Sequence, residues 1–138
     1  MGMTIWVNYL KDGTVTSDEA DKSAMFRHLN KLDQLCKRSR IRKLSDFLDT
    51  TDLEANVDDG TQAEGSTWDL MAQKGNWFSP EAGIEVLSAL IRQLEEKPIR
   101  FGWLTDNYDW VLMDLKECLA SIENAGEKEA RFHLGVVE

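Results

Sequence analysis

At 138 residues, with 42% hydrophobic side chains including five Trp and five Phe, the chain carries too much apolar surface for a disordered segment and enough for one folded core. Sixteen Lys and Arg against 25 Asp and Glu give a net charge of −9, which repels phosphate backbones and anionic bilayers at long range. Nucleic acid and membrane surfaces are therefore poor partners, and a single domain spanning residues 1–138 is expected.

Met3 to Leu10 alternates, with Met3, Ile5, Val7 and Tyr9 on one face, as a strand requires. Asp12-Gly13 suits a type I′ turn, which makes Thr14-Val15-Thr16 the returning arm of a hairpin. Ser17 or Asp18 can cap a helix over about residues 19–38, whose stripe is Met25, Leu29, Leu32 and Cys36. Lys37 and Arg38 suit its C-terminal dipole, so the basic run at 37–43 is read mainly as a helix end. It is short and has no interleaved aromatic residues to stack bases.

Beyond Ile41 the periodicity weakens. Leu44, Phe47 and Leu48 read as a short buried turn with Asp46 and Asp49 facing outward, and Asp58-Asp59-Gly60 as a turn. Gly60 to Ser66 has no apolar residue larger than Ala63 and is expected to be mobile. Thr67 to Met71 reads as a short helix ended by Gly75. Ser79-Pro80 is the sharpest local signal: a capping hydroxyl followed by a residue whose fixed φ and missing amide suit the first helical position.

The helix it opens buries Ile84, Leu87, Ile91 and Leu94 and stops before Pro98, with Trp77 and Phe78 stapling its start. Ile99 to Leu104 fits either an extended link or a strand. Thr105 or Asp106 caps the last helix, with Val111, Leu115, Cys118 and Ile122 inward and Gly126 as its stop. Arg131 to Glu138 alternates again and is expected to dock on the opening strand. The whole reads as α+β: a small antiparallel or mixed sheet, from the N-terminal hairpin and the C-terminal strand, packed against three longer helices and one short one.

From Leu44 to Gln73 there is no Lys or Arg, while Asp46, Asp49, Asp52, Glu54, Asp58, Asp59, Glu64 and Asp69 all fall there. An EF-hand loop started at Asp52 fails, because its sixth residue is Val57 and its twelfth Ala63. An irregular cation site through Asp49, Asp52, Asp58 and Asp59 is a minor alternative. His28, His133, Cys36 and Cys118 lack the spacing that aims two ligands the same way, so no metal or cofactor is expected, and both histidines are read as structural. With no CxxC spacing, the cysteines read as two buried thiols. No GxSxG, HExxH or Gly-rich phosphate loop is present, and Cys118 falls mid-helix in an apolar stripe, which favours a chain without enzymatic activity. The first residues lack a signal-peptide pattern, and a cytoplasmic protein is expected.

Leu44-Ser45-Asp46-Phe47-Leu48-Asp49, then Trp77-Phe78-Ser79-Pro80-Glu81 opening an amphipathic helix, then a long helix and the closing Phe132-His133-Leu134 together resemble small uncharacterised bacterial α+β proteins. More loosely, they resemble immunity-type proteins found beside bacterial toxins. The resemblance lies in layout, transfers no catalytic residues and implies an interaction protein.

The function expected is therefore protein binding of an immunity or inhibitor-like kind. Asp46, Asp49, Asp52, Glu54, Asp58 and Asp59 would form an acidic face, with Trp68 or Trp77 as the anchor for a basic protein partner. Core packing is the blander role for the Trp residues. The alternatives are a small-molecule binder or enzyme with an aromatic-lined, carboxylate-containing pocket, and self-association through a sheet edge.

Overall fold

The computed structural model describes residues 2–57, 66–125 and 130–138. Strands β1 (Thr4–Lys11) and β2 (Thr14–Asp18) form the expected hairpin, in register from Lys11 opposite Thr14 to Val7 opposite Asp18. Asp12 and Gly13 have φ of 51° and 78°, the two left-handed conformations that a type I′ turn needs. On the other side of β1 lies a C-terminal strand, β4 (Arg131–Val137), antiparallel to it from Thr4 opposite Val137 to Leu10 opposite Arg131.

A two-residue strand, β3 (Leu48–Asp49), adds parallel to β4 at Leu134 and Gly135, so the sheet is mixed with order β2-β1-β4-β3. Phe78 and Phe132 exchange backbone hydrogen bonds of 2.8 and 2.9 Å, extending that same edge of β4. The fold is α+β, as the sequence predicts.

The helix expected over 19–38 is two: α1 (Ser23–Arg27) and α2 (Leu29–Arg38), which meet at His28, whose ψ of 23° departs from helical geometry. The start is later than expected because Ser17 and Asp18 belong to β2 and cannot cap a helix. Helix α3 (Thr51–Val57) follows β3, and the short helix expected from Thr67 is α4 (Ser66–Lys74), which ends at Gly75 as predicted, the Gly75 amide still bonding Met71 O. The turn expected at Asp58-Asp59-Gly60, almost all of the segment expected to be mobile and the stop at Gly126 lie outside the described residues.

Helix α5 (Pro80–Glu96) begins as predicted, with Ser79 Oγ accepting from the Ala82 amide at 3.4 Å. Residues 99–104 form a link, not a strand. Asp106 then starts α6 (Tyr108–Ala125), its Oδ1 accepting from the Tyr108 and Phe101 amides at 3.0 Å each.

The alternation along β1 and β4 puts Ile5, Val7, Phe132 and Leu134 on one face, buried against α2, α5 and α6 with Leu32, Leu87, Leu90 and Leu115. The opposite face carries Asn8 and His133, which pair directly across the strands. It is covered too: α3 lies against β4 and α4 against β2. The sheet is thus the middle of three layers, the back layer being made from the acidic part of the sequence. Cys36 and Cys118 are free, buried thiols, and burial pushes Cys118 up to about 12, so it stays protonated.

Candidate functional site

Two of the residues singled out from sequence, Asp49 and Trp77, meet on the back face around His133. Asp49 was expected to face outward; it is only 4% exposed, because pairing of β3 with β4 turns it onto the face of Gly135 and His133. Its Oδ2 accepts from the Thr51 amide (3.0 Å) and its Oδ1 from the Asn76 amide (2.9 Å), so it caps the start of α3 and pins the segment after α4. Gly75 leaves the room: a Cβ there would lie 2.5 Å from Met71 O and 3.3 Å from Asp49 Oδ1.

His133 is fully buried, and its ring stacks on the indole of half-buried Trp77 with centroids 4.0 Å apart. Nδ1 lies 2.8 Å from Asn76 O, which can only accept, so Nδ1 carries the proton. Nε2 is then an acceptor and takes a hydrogen bond from Asn8 Nδ2 at 2.9 Å. Gly135 permits this reach, since a Cβ there would lie 2.5 Å from Asn8 Nδ2. Asp49 Oδ2 is 3.8 Å from Nε2, beyond hydrogen-bond range, and with a neutral ring the two are not an ion pair.

Burial lowers the His133 pKa below its ordinary value, with Asp49 and the Asn76 carbonyl pulling the other way. Both ring nitrogens are engaged and no solvent reaches them, so this arrangement fixes three segments of chain and offers no base to a substrate. His133 is, as the sequence suggested, a satisfied structural histidine. His28 is only partly buried; its Nε2 pairs with Asn107 Nδ2 at 3.0 Å and its ring meets Phe101 edge-on.

The neutral imidazole has a pH signature. In the unfolded chain His133 titrates near its ordinary value of about 6.5, and in the fold it titrates lower, so between those values the unfolded state binds the extra proton. The stability it contributes is complete above about pH 6.5 and is lost as pH falls towards the folded value. The urea-midpoint difference between wild type and His133→Gln, which cannot titrate, is therefore expected to shrink between pH 7.5 and 5. A pH-independent difference would mean that burial does not hold the folded pKa of His133 below the unfolded one.

The other predicted residues lie outside this network. Asp46 is exposed and sits 4.0 Å from Arg42, whose guanidinium caps the Phe47 and Phe78 rings. Glu54 is exposed and accepts from Thr50 Oγ1 at 3.3 Å, and Asp52 is partly buried, which raises its pKa. Trp68 is 42% exposed on α4. Asp58 and Asp59 lie outside the described residues, and among those described no three His, Cys, Asp or Glu converge as a metal site.

Among the described residues, the most exposed large apolar side chains are ones the sequence did not predict. Trp103 (84% exposed), Leu104, Trp110 and Met113 project from the 99–107 link and the first turns of α6, where core packing had been the expectation for the Trp residues. The link is held rigidly. Gly102 has φ of 98°, Arg100 bonds the carbonyls of Gly102 and Trp103, Asn107 N bonds Phe101 O, and Lys31 Nζ bonds Arg100 O. Trp110 and Met113, three residues apart, share one side of the helix. Exposed carboxylates of Asp106, Asp109 and Glu117 stand on the same stretch of chain.

No family model matches the chain, and neither the curated proteins nor the solved structures provide a match. None of the described helices is long and apolar enough to cross a membrane.

Proposed function

We propose that this protein is a non-enzymatic, inhibitor-like binding module that engages a basic protein partner through Trp103, Leu104, Trp110 and Met113. The observation that carries the reading is the exposure of two Trp side chains on ordered backbone, Trp103 on a link fixed by hydrogen bonds from Arg100 and Trp110 in the first turn of α6. Large aromatic groups held in place bind with little further ordering cost, and such residues supply most of the affinity in protein interfaces. The surrounding carboxylates and the net charge of −9 favour a cationic partner and speed its approach. Support for a role other than catalysis comes from the buried, fully bonded His133 and from Cys118, held as a thiol. A cytoplasmic setting fits the two free thiols.

A second reading keeps the contact on the acidic stretch, through Asp46, Glu54 and Trp68, and rests on the exposure of Trp68. Capture of partners from the native cytoplasm separates the two. The double variant Trp103→Ala/Trp110→Ala is expected to lose a basic partner by about 30-fold or more, the loss of a two-residue hot spot, while Trp68→Ala retains it. Retention should also fall with added salt. Loss with Trp68→Ala alone would move the interface to the acidic stretch.

A further inference from the structure

The Trp110 side of α6 is one wall of a groove. Its other wall is α1 and the residues before it, and it encloses about 380 Å³ lined by Asp21, Arg27, Asn107, Trp110, Met113 and Glu117. The floor carboxylate, Asp114, is committed: its Oδ2 accepts from the Met25 amide at 3.0 Å. Asp21 is pinned at one lip, its Oδ1 accepting from Trp6 Nε1 at 2.7 Å. Glu117 is exposed at the other wall, two turns along α6 from Trp110.

Two further depressions share its lining residues. At one end the groove shares Asp21, Ser23 and Arg27 with a larger depression of about 720 Å³ beside Met3, Trp6 and Phe26, and at the other it shares Met113 and Glu117 with a shallow trough along α6. Neighbouring depressions that share lining residues suit an extended chain better than a compact small molecule. Its central part sets the carboxylates of Asp21, Asp114 and Glu117 against the single guanidinium of Arg27. The exposed indole of Trp110 offers the aromatic face that best attracts a cation.

We infer that this groove seats an extended, Arg- or Lys-bearing segment of the partner, with one cationic side chain lying over Trp110 between Asp21 and Glu117. The inference rests on the binding-module reading and names the chemistry of what is bound. The flat side of a guanidinium covers the indole while its N–H groups reach the carboxylates, an arrangement to which a guanidinium is better suited than an ammonium. Arg27 repels a second cation at its own position and so sets the register of the bound segment.

The test is isothermal titration of the intact protein with a capped nine-residue peptide of alternating Arg and Ala, and with the same peptide carrying Gln for every Arg. The Arg peptide is expected to bind at least tenfold more tightly than the Gln peptide. Trp110→Ala and Glu117→Gln are each expected to weaken it about fivefold, with Asp46→Asn without effect; unchanged urea midpoints establish that each variant is folded. A Lys peptide is expected to bind more weakly than the Arg peptide. Equal binding of the Arg and Gln peptides, or binding that responds to Asp46→Asn and not to Glu117→Gln, overturns the inference. Should the Arg peptide fail to bind while Trp103→Ala/Trp110→Ala still releases the native partner, the docking surface stands and the cation seat falls. If instead the peptide behaves as expected but that double variant keeps its native partner, the broader reading fails and the groove remains a site for cationic peptide.

Discussion

Replacing His133 by Ala is expected to lower the free energy of unfolding by about 3–4 kcal/mol, the range for deleting a large buried ring and orphaning its hydrogen-bond partners. The imidazole is fully buried beneath Trp77 and joins Asn8 on β1 to the carbonyl of Asn76. Without it the Asn76 carbonyl loses its donor. Among the described residues, Asn8 Nδ2 then keeps only the weak acceptor Met71 Sδ, at 3.5 Å, and Asn8 Oδ1 is already buried without a partner. A cavity also opens under the indole, because Trp77 is tied by Nε1 to Met71 O at 3.1 Å and cannot follow. Urea denaturation at pH 7.5 measures the loss. His133→Gln, whose amide offers both a donor and an acceptor, should recover part of it. A shift below about 1 kcal/mol for the Ala variant, the ordinary value for a single hydrogen bond, would show that the network carries no special share of stability.

That network also marks where the sequence is easy to read and where it is not. The hairpin, the Ser79-Pro80 helix start and the Asp106 cap are legible because each depends on two or three adjacent residues whose φ preference or side-chain oxygen determines the outcome. The pairing of β1 with β4 follows from matched alternation. Strand β3 is only two residues long and has no periodicity to find.

Asn8 and His133 occupy the polar positions of alternating strands, which look like a solvent face until α3 and α4 cover them. Those covering helices come from the most acidic stretch of the chain, so charge pattern pointed outward where the structure turns Asp49 inward. The Trp103–Leu104 surface is hidden for the converse reason. Ile99 to Leu104 is apolar enough to read as buried, and Phe101 is, but the left-handed turn at Gly102 directs the next two side chains into solvent. The spacing of Trp110 and Met113 on α6 was legible; that no described helix covers them is a tertiary fact.

On the front face the decisive contact is between Gly83 of α5 and the ring of Phe132. Helix propensity alone predicts that Gly83→Ala stabilises the protein by about 0.5–1 kcal/mol, since glycine in a helix interior is the less favourable residue. Packing predicts the opposite. A Cβ at Gly83 would lie 2.7 Å from Phe132 Cε1 and 3.2 Å from Cε2, inside van der Waals contact. The ring has no room to retreat: Phe132 is fully buried, packs against Phe47 with centroids 5.3 Å apart and faces Phe78 across the reciprocal backbone pair that extends the sheet. Overpacking of this kind costs about 1–3 kcal/mol and outweighs the propensity gain. Gly83→Ala is therefore expected to lower the urea midpoint, and Gly83→Val, with a second branch at the same point, to lower it further. Phe132→Leu removes the ring atoms that the new methyl would meet, so Gly83→Ala should be less damaging in that background than in wild type, with a coupling of about 1 kcal/mol or more between the two sites. A higher midpoint for Gly83→Ala, or strict additivity with Phe132→Leu, would mean that α5 can shift away from the sheet, and that the close approach of helix to strand at Gly83 is not what fixes the front layer.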